Sequence, residues 1–264
     1  MTSLEERKIA EREFHDRYRA VYEQGGPACE RFTSNKKFYA IDRKSRQFVL
    51  DWLRQNAGGA RALDYGCGGG SYAWFLAEHA ARVDGIDISP ASIALCQERA
   101  AARGLAAKCH FQVMDCENLE FSDNSFDVIC ESGVLHHLDV ERVWPQIVRV
   151  LAPGGSMICT EALAHNPVFR LYRRLTPELR TAWETEHILR VEQIRAARRW
   201  FGRVDLRFFH LVSLAAVPFR NMWFFEPLLG TLERIDSLVL RAPLVQRQAW
   251  MAVFVLSEPR KAGR

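Results

Sequence analysis

The residues with the clearest chemical meaning lie in residues 62–70, which read ALDYGCGGG. Asp64 ends a short apolar run, and Gly66, Gly68 and Gly70 follow it at every second position. Glycines at this spacing allow a ligand to lie against bare backbone, because a Cβ atom would clash with it or forbid a positive φ angle. The stretch therefore predicts a ligand-binding turn between a strand and a helix.

The charge of Asp64 indicates which ligand the turn holds. A dinucleotide would bring a pyrophosphate to the turn, where a carboxylate would repel it, whereas a ligand with an ammonium group would be attracted. S-adenosylmethionine carries such a group. A nicotinamide dinucleotide is the alternative, because Gly66, Gly68 and Asp87 nearly satisfy the dinucleotide fingerprint. Ser71, however, stands where that fingerprint has its third glycine or alanine.

Five further motifs follow the turn in order. They are residues 83–89 (VDGIDIS), 114–116 (MDC), 126–129 (FDVI), 134–138 (VLHHL) and 151–155 (LAPGG). A glycine motif alone would be weak support for any family, since such turns occur in many α/β proteins. Together, the ordered motifs resemble those of class I S-adenosylmethionine-dependent methyltransferases of the small-molecule, methyltransferase-type-11 kind. The resemblance is strong over residues 55–161 and weak in the flanking segments.

This resemblance implies a fold and a cofactor site. The implied fold is a doubly wound, seven-stranded, mostly parallel α/β sheet whose last strand is antiparallel. The implied cofactor is S-adenosylmethionine, and the residues expected to bind it are Asp64, Gly66, Cys67, Gly68, Gly70, Asp87, Ile88, Met114, Asp115, Cys116 and Glu131. Asp64 and the glycines would hold the methionine moiety, Asp87 the ribose hydroxyls and Asp115 the adenine amino group.

His136 and His137 are the candidates for a general base. A hydroxyl or acidic carbon must lose a proton when it accepts a methyl group, and histidine titrates nearest to neutral pH. A purely structural role for both is the alternative. The sequence shows no set of aspartate and asparagine residues like the one that holds magnesium in catechol-type relatives, so no metal is expected. The loop at Glu131 also lacks the Pro-Pro-aromatic motif of enzymes that methylate DNA bases or glutamine amides.

The expected acceptor is a small apolar or aromatic molecule, such as a phenol, quinone, polyketide or lipid-like compound, methylated on oxygen or carbon. Phe, Leu, Trp and Val are frequent after residue 161, which favours an apolar pocket. Arginines among them also allow peripheral membrane contact, although internal packing is the favoured interpretation. Nucleic acid is not expected, because the net charge of +4 is scattered. A non-catalytic scaffold is disfavoured by the intact glycines and acids.

Alternating strands and helices position these residues. The expected strands are residues 61–64, 83–88, 108–114, 126–130, 156–161, 204–211 and 249–256. One helix begins at Ser71, one at the Ser89-Pro90 cap, and one covers 191–201. The expected division is an N-terminal helical cap (1–55), a cofactor-binding core (56–161), a lid (162–190) and a C-terminal completion of the sheet (191–264) with a helical insertion at about 212–248.

The N-terminal cap is expected to contain two helices. The first starts with a capping box at Ser3 and Glu6 and stops at residues 25–27 (GGP), and the second covers 41–55. On the first helix, His15 and Asp16 could reach the ligand if the helix folds over it, but a solvated face is the favoured interpretation.

Length and composition fit an ordinary intracellular enzyme. The 264 residues are 48% hydrophobic and 26% charged, which suffices for one sizeable domain. Seven cysteines without a Cys-x-x-Cys pair indicate reduced, buried thiols. The first residues lack the apolar core of a signal peptide, and the longest apolar stretch, 208–219, is too short for a membrane span. A cytoplasmic location is expected.

Overall fold

The computed structural model describes residues 4–26, 29–30 and 33–261. Within them, one sheet contains seven strands, which are β1 (Arg61–Tyr65), β2 (Arg82–Asp87), β3 (Cys109–Val113), β4 (Phe126–Ser132), β5 (Leu151–Ala162), β6 (Phe201–Phe209) and β7 (Met251–Pro259). Their spatial order is β3-β2-β1-β4-β5-β7-β6. Strands β1 to β5 are parallel, and β7 is antiparallel to both β5 and β6. The predicted fold class is confirmed.

Helices precede, connect and follow these strands. They are α1 (Leu4–Gln24), α2 (Arg43–Asn56), α3 (Ser71–His79), α4 (Pro90–Ala102), α5 (Val140–Val150), α6 (Pro167–Leu175), α7 (Ala182–Glu186), α8 (Val191–Ala196), α9 (Phe225–Val239) and α10 (Pro243–Gln246). Short 3₁₀ helices include Ser34–Ile41, Leu135–His137 and Ser213–Phe219. The start of α4 is as predicted, because the Ser89 hydroxyl accepts the Ser92 N–H at 3.1 Å and Pro90 follows.

The sheet is buried on both faces, and its two sides belong to two separate cores. Neighbouring residues of a strand point to opposite faces. In β1, Leu63 therefore joins a core that contains Ile129 and Trp144, while Ala62 packs on the other side with Ile93. Burial on both faces is nearly complete in β1 and β4, whereas the edge strands β3 and β6 expose several residues.

The strand order creates a crevice where the sequence places its motifs. After β1 the chain moves through β2 to β3 at one edge, and it then returns to β4 on the other side of β1. Connections on either side of such a switch point leave a crevice beyond the carboxyl ends of the strands. The turn after β1 and the loops after β2, β3 and β4 meet there.

The two largest differences from the predicted element boundaries lie between residues 151 and 201. The helix predicted over residues 191–201 ends at Ala196, and Phe201 already belongs to β6 because it pairs with Pro259 and is fully buried. Strand β5 begins at Leu151, five residues before the predicted start, because Leu151 pairs with Phe126 ahead of a register shift. Both errors come from strand pairing that local sequence does not show.

The chain additions are helical, as expected. α6 and α7 follow β5, and the segment between β6 and β7 contains the 3₁₀ helix Ser213–Phe219, α9 and α10. No helix in the described part of the chain is both long and apolar enough to span a bilayer. The first helix ends at Gln24, ahead of Gly25. The capping-box Ser3 and Pro27 lie outside the described residues.

Candidate active site

The glycine turn has the backbone that its sequence requires. Gly66, Gly68 and Gly70 all have positive φ angles, of 70°, 49° and 80°. At Gly66 the requirement is also steric, because an added Cβ atom would collide with the side chain of Val134. The Gly68 N–H donates a hydrogen bond of 2.9 Å to Asp87 Oδ2, which fixes the turn to the end of β2.

A cavity of about 310 Å³ lies between this turn and α1. The core contributes Gly66, Gly68, Asp87, Ile88, Ser92, Asp115, Cys116, Ser132, Gly133, Val134, His137 and Leu138 to its lining. We call this space the central cavity. It brings together seven of the predicted site residues, from four different loops, as expected for the crevice of a doubly wound sheet.

The two carboxylates at the strand ends face this cavity. Besides the Gly68 N–H, Asp87 accepts the Ser89 N–H at 2.9 Å. Asp115 accepts the Glu117 N–H at 2.8 Å, and its other oxygen lies 2.6 Å from the Lys8 ammonium. Backbone donors thus hold both side chains in place, which orients them without using all of their acceptor capacity.

Other predicted site residues lie behind the cavity wall. Asp64 is buried, accepts the Ala73 N–H at 2.9 Å, and is not among the described residues that line the cavity. Burial raises the pKa of Asp64 to about 7, and the charge of Asp87 adds to this increase. Gly70 lies against Trp74, and Cys67 is buried near Gly85. Met114 lines a neighbouring surface groove instead.

Helix α1 covers the central cavity, which corrects the expectation of a solvated face. Asp16 accepts a 2.5 Å hydrogen bond from the Ser89 hydroxyl, and His15 lines the cavity. Arg19 donates to the Ser92 hydroxyl at 3.3 Å and lies over the glycine turn. The helix therefore presents a polar face to the ligand-binding crevice.

Sequence reasoning missed the residues that attach this helix. Arg7 contacts Glu117 at 2.5 Å, and both side chains are buried. Burial would raise the pKa of Glu11, but the neighbouring His137 and His15 side chains hold it well below its usual range. The sequence does contain an indication of this polar face. Polar residues recur at positions 7, 11, 15 and 19, a spacing that places them on one side of a helix.

The two histidines after β4 occupy different environments. His136 Nδ1 lies 2.6 Å from Glu161 Oε2, and its Nε2 lies 3.8 Å from Glu184 in α7. His137 lines the central cavity, and its Nδ1 lies 3.0 Å from Glu11. Burial lowers the pKa of His136, but the charge and hydrogen bond of Glu161 outweigh burial and raise it overall.

A second buried carboxyl, Glu131, lies beside this pair. Its Oε1 accepts the Val134 N–H at 2.6 Å, and its Oε2 has no hydrogen-bond partner among the described residues. Burial and the charge of Glu161 raise the pKa of Glu131 well above its usual range. Through its contacts with the Val134 and Leu135 N–H groups, Glu131 organises the loop after β4 from behind.

Comparison with known proteins assigns this arrangement to a family. Residues 63–159 match the family described as "Methyltransferase domain". The chain carries a methyltransferase domain. The matched residues contain most of β1 and β5, all of β2 to β4, the glycine turn and both histidines. The predicted family is therefore confirmed, and so is S-adenosylmethionine as the cofactor of this domain.

Curated relatives share this domain rather than the whole chain. A phthiotriol/phenolphthiotriol dimycocerosates methyltransferase of Mycobacterium leprae is 38% identical over 116 residues, which is 43% of this chain and 42% of that protein. A ubiquinone/menaquinone biosynthesis C-methyltransferase of Geotalea daltonii is 31% identical over 141 residues, which is 52% of this chain and 59% of that protein. The chain thus covers about half of their lengths.

A solved methyltransferase structure resembles this chain over nearly its whole length. The phosphoethanolamine N-methyltransferase 2 of Haemonchus contortus, solved with phosphomonomethylethanolamine and S-adenosylhomocysteine, superposes with a TM-score of 0.59. The superposition covers 94% of this chain and 60% of that one at 17% sequence identity. At this identity the match shows the fold alone.

Proposed function

We propose that this chain transfers the methyl group of S-adenosylmethionine to a small apolar acceptor, on oxygen or carbon. One observation carries the proposal. The central cavity joins a bare-backbone glycine turn to two oriented carboxylates, Asp87 and Asp115, inside a methyltransferase domain. A dehydrogenase would need a diphosphate at a turn that lies next to the buried carboxyl of Asp64.

The residues around the turn fit the amino-acid end of this cofactor. A Cβ atom at Gly68 would enter the space below the Arg19 guanidinium, which is the space that a ligand on the turn would use. Arg19 would pair with a ligand carboxylate there, and Asp64 would attract the ammonium group from beneath the turn. Asp87 and Asp115 would accept hydrogen bonds from ribose hydroxyls and the adenine amino group.

The chemistry requires positioning and one proton acceptor. Bound S-adenosylmethionine supplies an activated methyl group. The chain orients the acceptor and excludes water around it, which can contribute roughly 7–11 kcal/mol to lowering the barrier. We assign the general base to His136, because buried Glu161 holds its Nδ1 and leaves Nε2 toward the lid helix α7. Glu161 is then a positioning residue.

The acceptor class follows from the relatives and from the surface. Dimycocerosates and ubiquinone or menaquinone precursors, which the names of the relatives imply, are lipophilic. In the helical insertion, Trp223 is 90% exposed and lies beside Phe219, Met222 and Arg220, all at the surface. Apolar side chains next to a cation suit the surface of an anionic membrane, from which a lipophilic acceptor would enter.

Calorimetry with S-adenosylhomocysteine and NAD⁺ tests the cofactor assignment. We expect saturable binding of S-adenosylhomocysteine only, and at least about tenfold weaker binding by Asp87→Ala, because a charge-assisted hydrogen bond contributes about 1.5–3 kcal/mol. The matched control is Asp205→Ala, which removes an exposed aspartate remote from the cavity. Binding of NAD⁺ would favour an oxidoreductase, and binding of neither would favour a scaffold.

Incubation with isotopically labelled donor and fractionated lipid extracts tests the acceptor class. Label should appear in an apolar product, and presentation of the extract in anionic vesicles should increase it. His136→Ala and Glu161→Gln should lower kcat about 100-fold or more, since a lost general base costs this much. His110→Ala, an exposed histidine on β3, should leave kcat unchanged. Label confined to water-soluble products would contradict the proposed class.

A further inference from the structure

Three side chains in the central cavity form a cluster that methyl transfer does not use. They are Glu11 and His15 of α1 and His137 of the 3₁₀ helix after β4. We propose that they bind one divalent transition-metal ion, which fastens α1 over the central cavity. This site goes beyond the proposed function, because it concerns how helix α1 is attached to the rest of the domain and not which molecule is methylated.

The geometry of the three side chains suits a metal ion. One ligand atom from each residue lies within 4.8 Å of the other two. Glu11 Oε2 is 3.0 Å from His137 Nδ1 and 3.7 Å from His15 Nε2. Ligands about 2.0–2.2 Å from a tetrahedral zinc ion lie roughly 3.4 Å from one another. Small side-chain rotations therefore bring all three atoms onto one ion.

Glu11 Oε2 and His137 Nδ1 approach each other without the geometry of a hydrogen bond, which gives a second indication. Glu11 is only 5% exposed, yet its Oε2 has no hydrogen-bond partner among the described residues. The same holds, within those residues, for the buried Nδ1 of His137, despite its short distance to Glu11. Buried polar atoms nearly always have a partner. A metal ion between these two atoms would satisfy both.

Neighbouring charges favour this group over the adjacent one. His136, His137 and Glu184 also lie close together, but His136 Nδ1 already contacts Glu161. Glu184 lies 3.0 Å from the Arg173 guanidinium, so a dication there would meet a buried positive charge. Beside Glu11, by contrast, Arg7 and Lys8 have acidic partners of their own, and Arg19, the third cation of α1 in the cavity lining, lies 3.9 Å from Glu23.

The ligand types define the class of metal. Two imidazoles and one carboxylate suit zinc, cobalt, nickel, copper or ferrous iron, whereas magnesium and calcium prefer sets made only of oxygen atoms. Three protein ligands leave at least one coordination position free, as in sites that also bind water or substrate. The ion would join α1 to the loop after β4 and so hold the helix over the central cavity.

Titration of the metal-free protein with Co²⁺ alone tests the proposal. We expect one Co²⁺ per chain with visible ligand-field absorption, and competition by Zn²⁺. His15→Ala and Glu11→Gln should each weaken Co²⁺ binding at least about tenfold, because even the loss of an outer-shell partner costs 10–100-fold in affinity. His110→Ala is the control and should bind Co²⁺ like the wild type, since its side chain lies on the exposed β3 surface.

Folding and function are separated within the same experiment. His15 is one-third exposed, so His15→Ala should retain the fold, which thermal unfolding without metal would verify. No methyl donor is present in the titration, so its outcome does not depend on the proposed activity. Equal Co²⁺ affinity of wild type and His15→Ala, or no saturable binding by the wild type, would overturn the metal site.

Discussion

The floor and the cover of the central cavity are built by different forces. The floor, formed by the glycine turn and the loops after β2 and β3, is held by backbone hydrogen bonds and close packing against a buried sheet. The cover, helix α1, buries only Arg7 and Glu11 among its residues and is attached through ion pairs and polar contacts. The floor is therefore rigid, whereas the cover depends on charge.

This difference has a thermodynamic consequence. A close-packed core responds as a unit, because a change in one side chain strains its neighbours. Its packing is therefore lost only when the whole domain unfolds. Ion pairs respond instead to salt and to the loss of one partner. We therefore expect substitutions in the floor to affect stability and ligand binding together. Substitutions in the cover should affect binding while most of the fold remains intact.

The largest effect is expected for Gly66→Ala in the floor. The added Cβ atom would collide with Val134 and occupy a left-handed backbone conformation, so the free energy of unfolding should fall by about 3 kcal/mol or more. Binding of S-adenosylhomocysteine should be lost as well. Gly58→Ala is the control, because an added Cβ atom there meets no atom within 4 Å. Urea denaturation measures the free energy of unfolding of both variants. Equal stability of the two would contradict the steric argument.

A smaller effect is expected for Arg7→Ala in the cover. Among the described residues, the buried carboxylate of Glu117 then keeps the Asp139 N–H at 2.6 Å and the Arg142 guanidinium at 3.5 Å as its contacts. Loss of one partner of a buried pair costs about 3 kcal/mol, reduced here by Arg142. Limited proteolysis should show α1 released while β1 to β7 stay protected.

The matched control for the cover is Arg54→Ala. Its ion pair with Asp51 is exposed on both sides, so its removal should change stability by less than about 0.5 kcal/mol and leave α1 protected. If Arg7→Ala were cleaved no faster than Arg54→Ala, the ion pair would not be what holds the cover.

Acid should produce the smallest effect, through His210 at the far side of the sheet. This side chain is 2% exposed, and burial lowers its pKa from 6.5 to about 4 although the charge of Asp236 opposes the shift. The unfolded state therefore binds the extra proton between these two pH values, so stability present above pH 6.5 is lost as pH falls toward 4. The contribution of His210 is at most about 3 kcal/mol.

The variant His210→Asn isolates that contribution. Asparagine tolerates the left-handed backbone of residue 210, where φ is 63°. Its shorter side chain does not reach the Ser45 hydroxyl, which lies 2.8 Å from His210 Nε2, so the variant should be less stable at every pH and the slope with pH is the informative quantity. Denaturant unfolding from pH 7 to pH 4 should therefore show a shallower loss of stability in the variant. Identical pH profiles would show that other groups dominate the acid response.

The floor could be predicted from sequence because its determinants are local. A glycine that needs a positive φ angle, an aspartate at a strand end and a Ser-Pro helix start each leave a mark within a few residues. A parallel sheet with helices on both faces then follows from the alternation of strands and helices. The positions of Asp87 and Asp115 in the cavity were foreseen for this reason.

The cover could not be placed from the same information. Helix α1 lacks a clean apolar stripe, and its partners, such as Glu117 and Ser89, are far away in sequence. Polar spacing alone predicts a helix face but does not distinguish a solvated face from one that lies over a ligand. The extent of β6 was missed for a similar reason, since pairing with β7 decides it.

Asp64 has one more consequence. A carboxyl group with a pKa of about 7 is half ionised in neutral buffer, and a cationic ligand settling on the adjoining turn would favour the ionised form. Each binding event would then release a fraction of a proton into solution. The heat measured on titration would accordingly change with the ionisation enthalpy of the buffer.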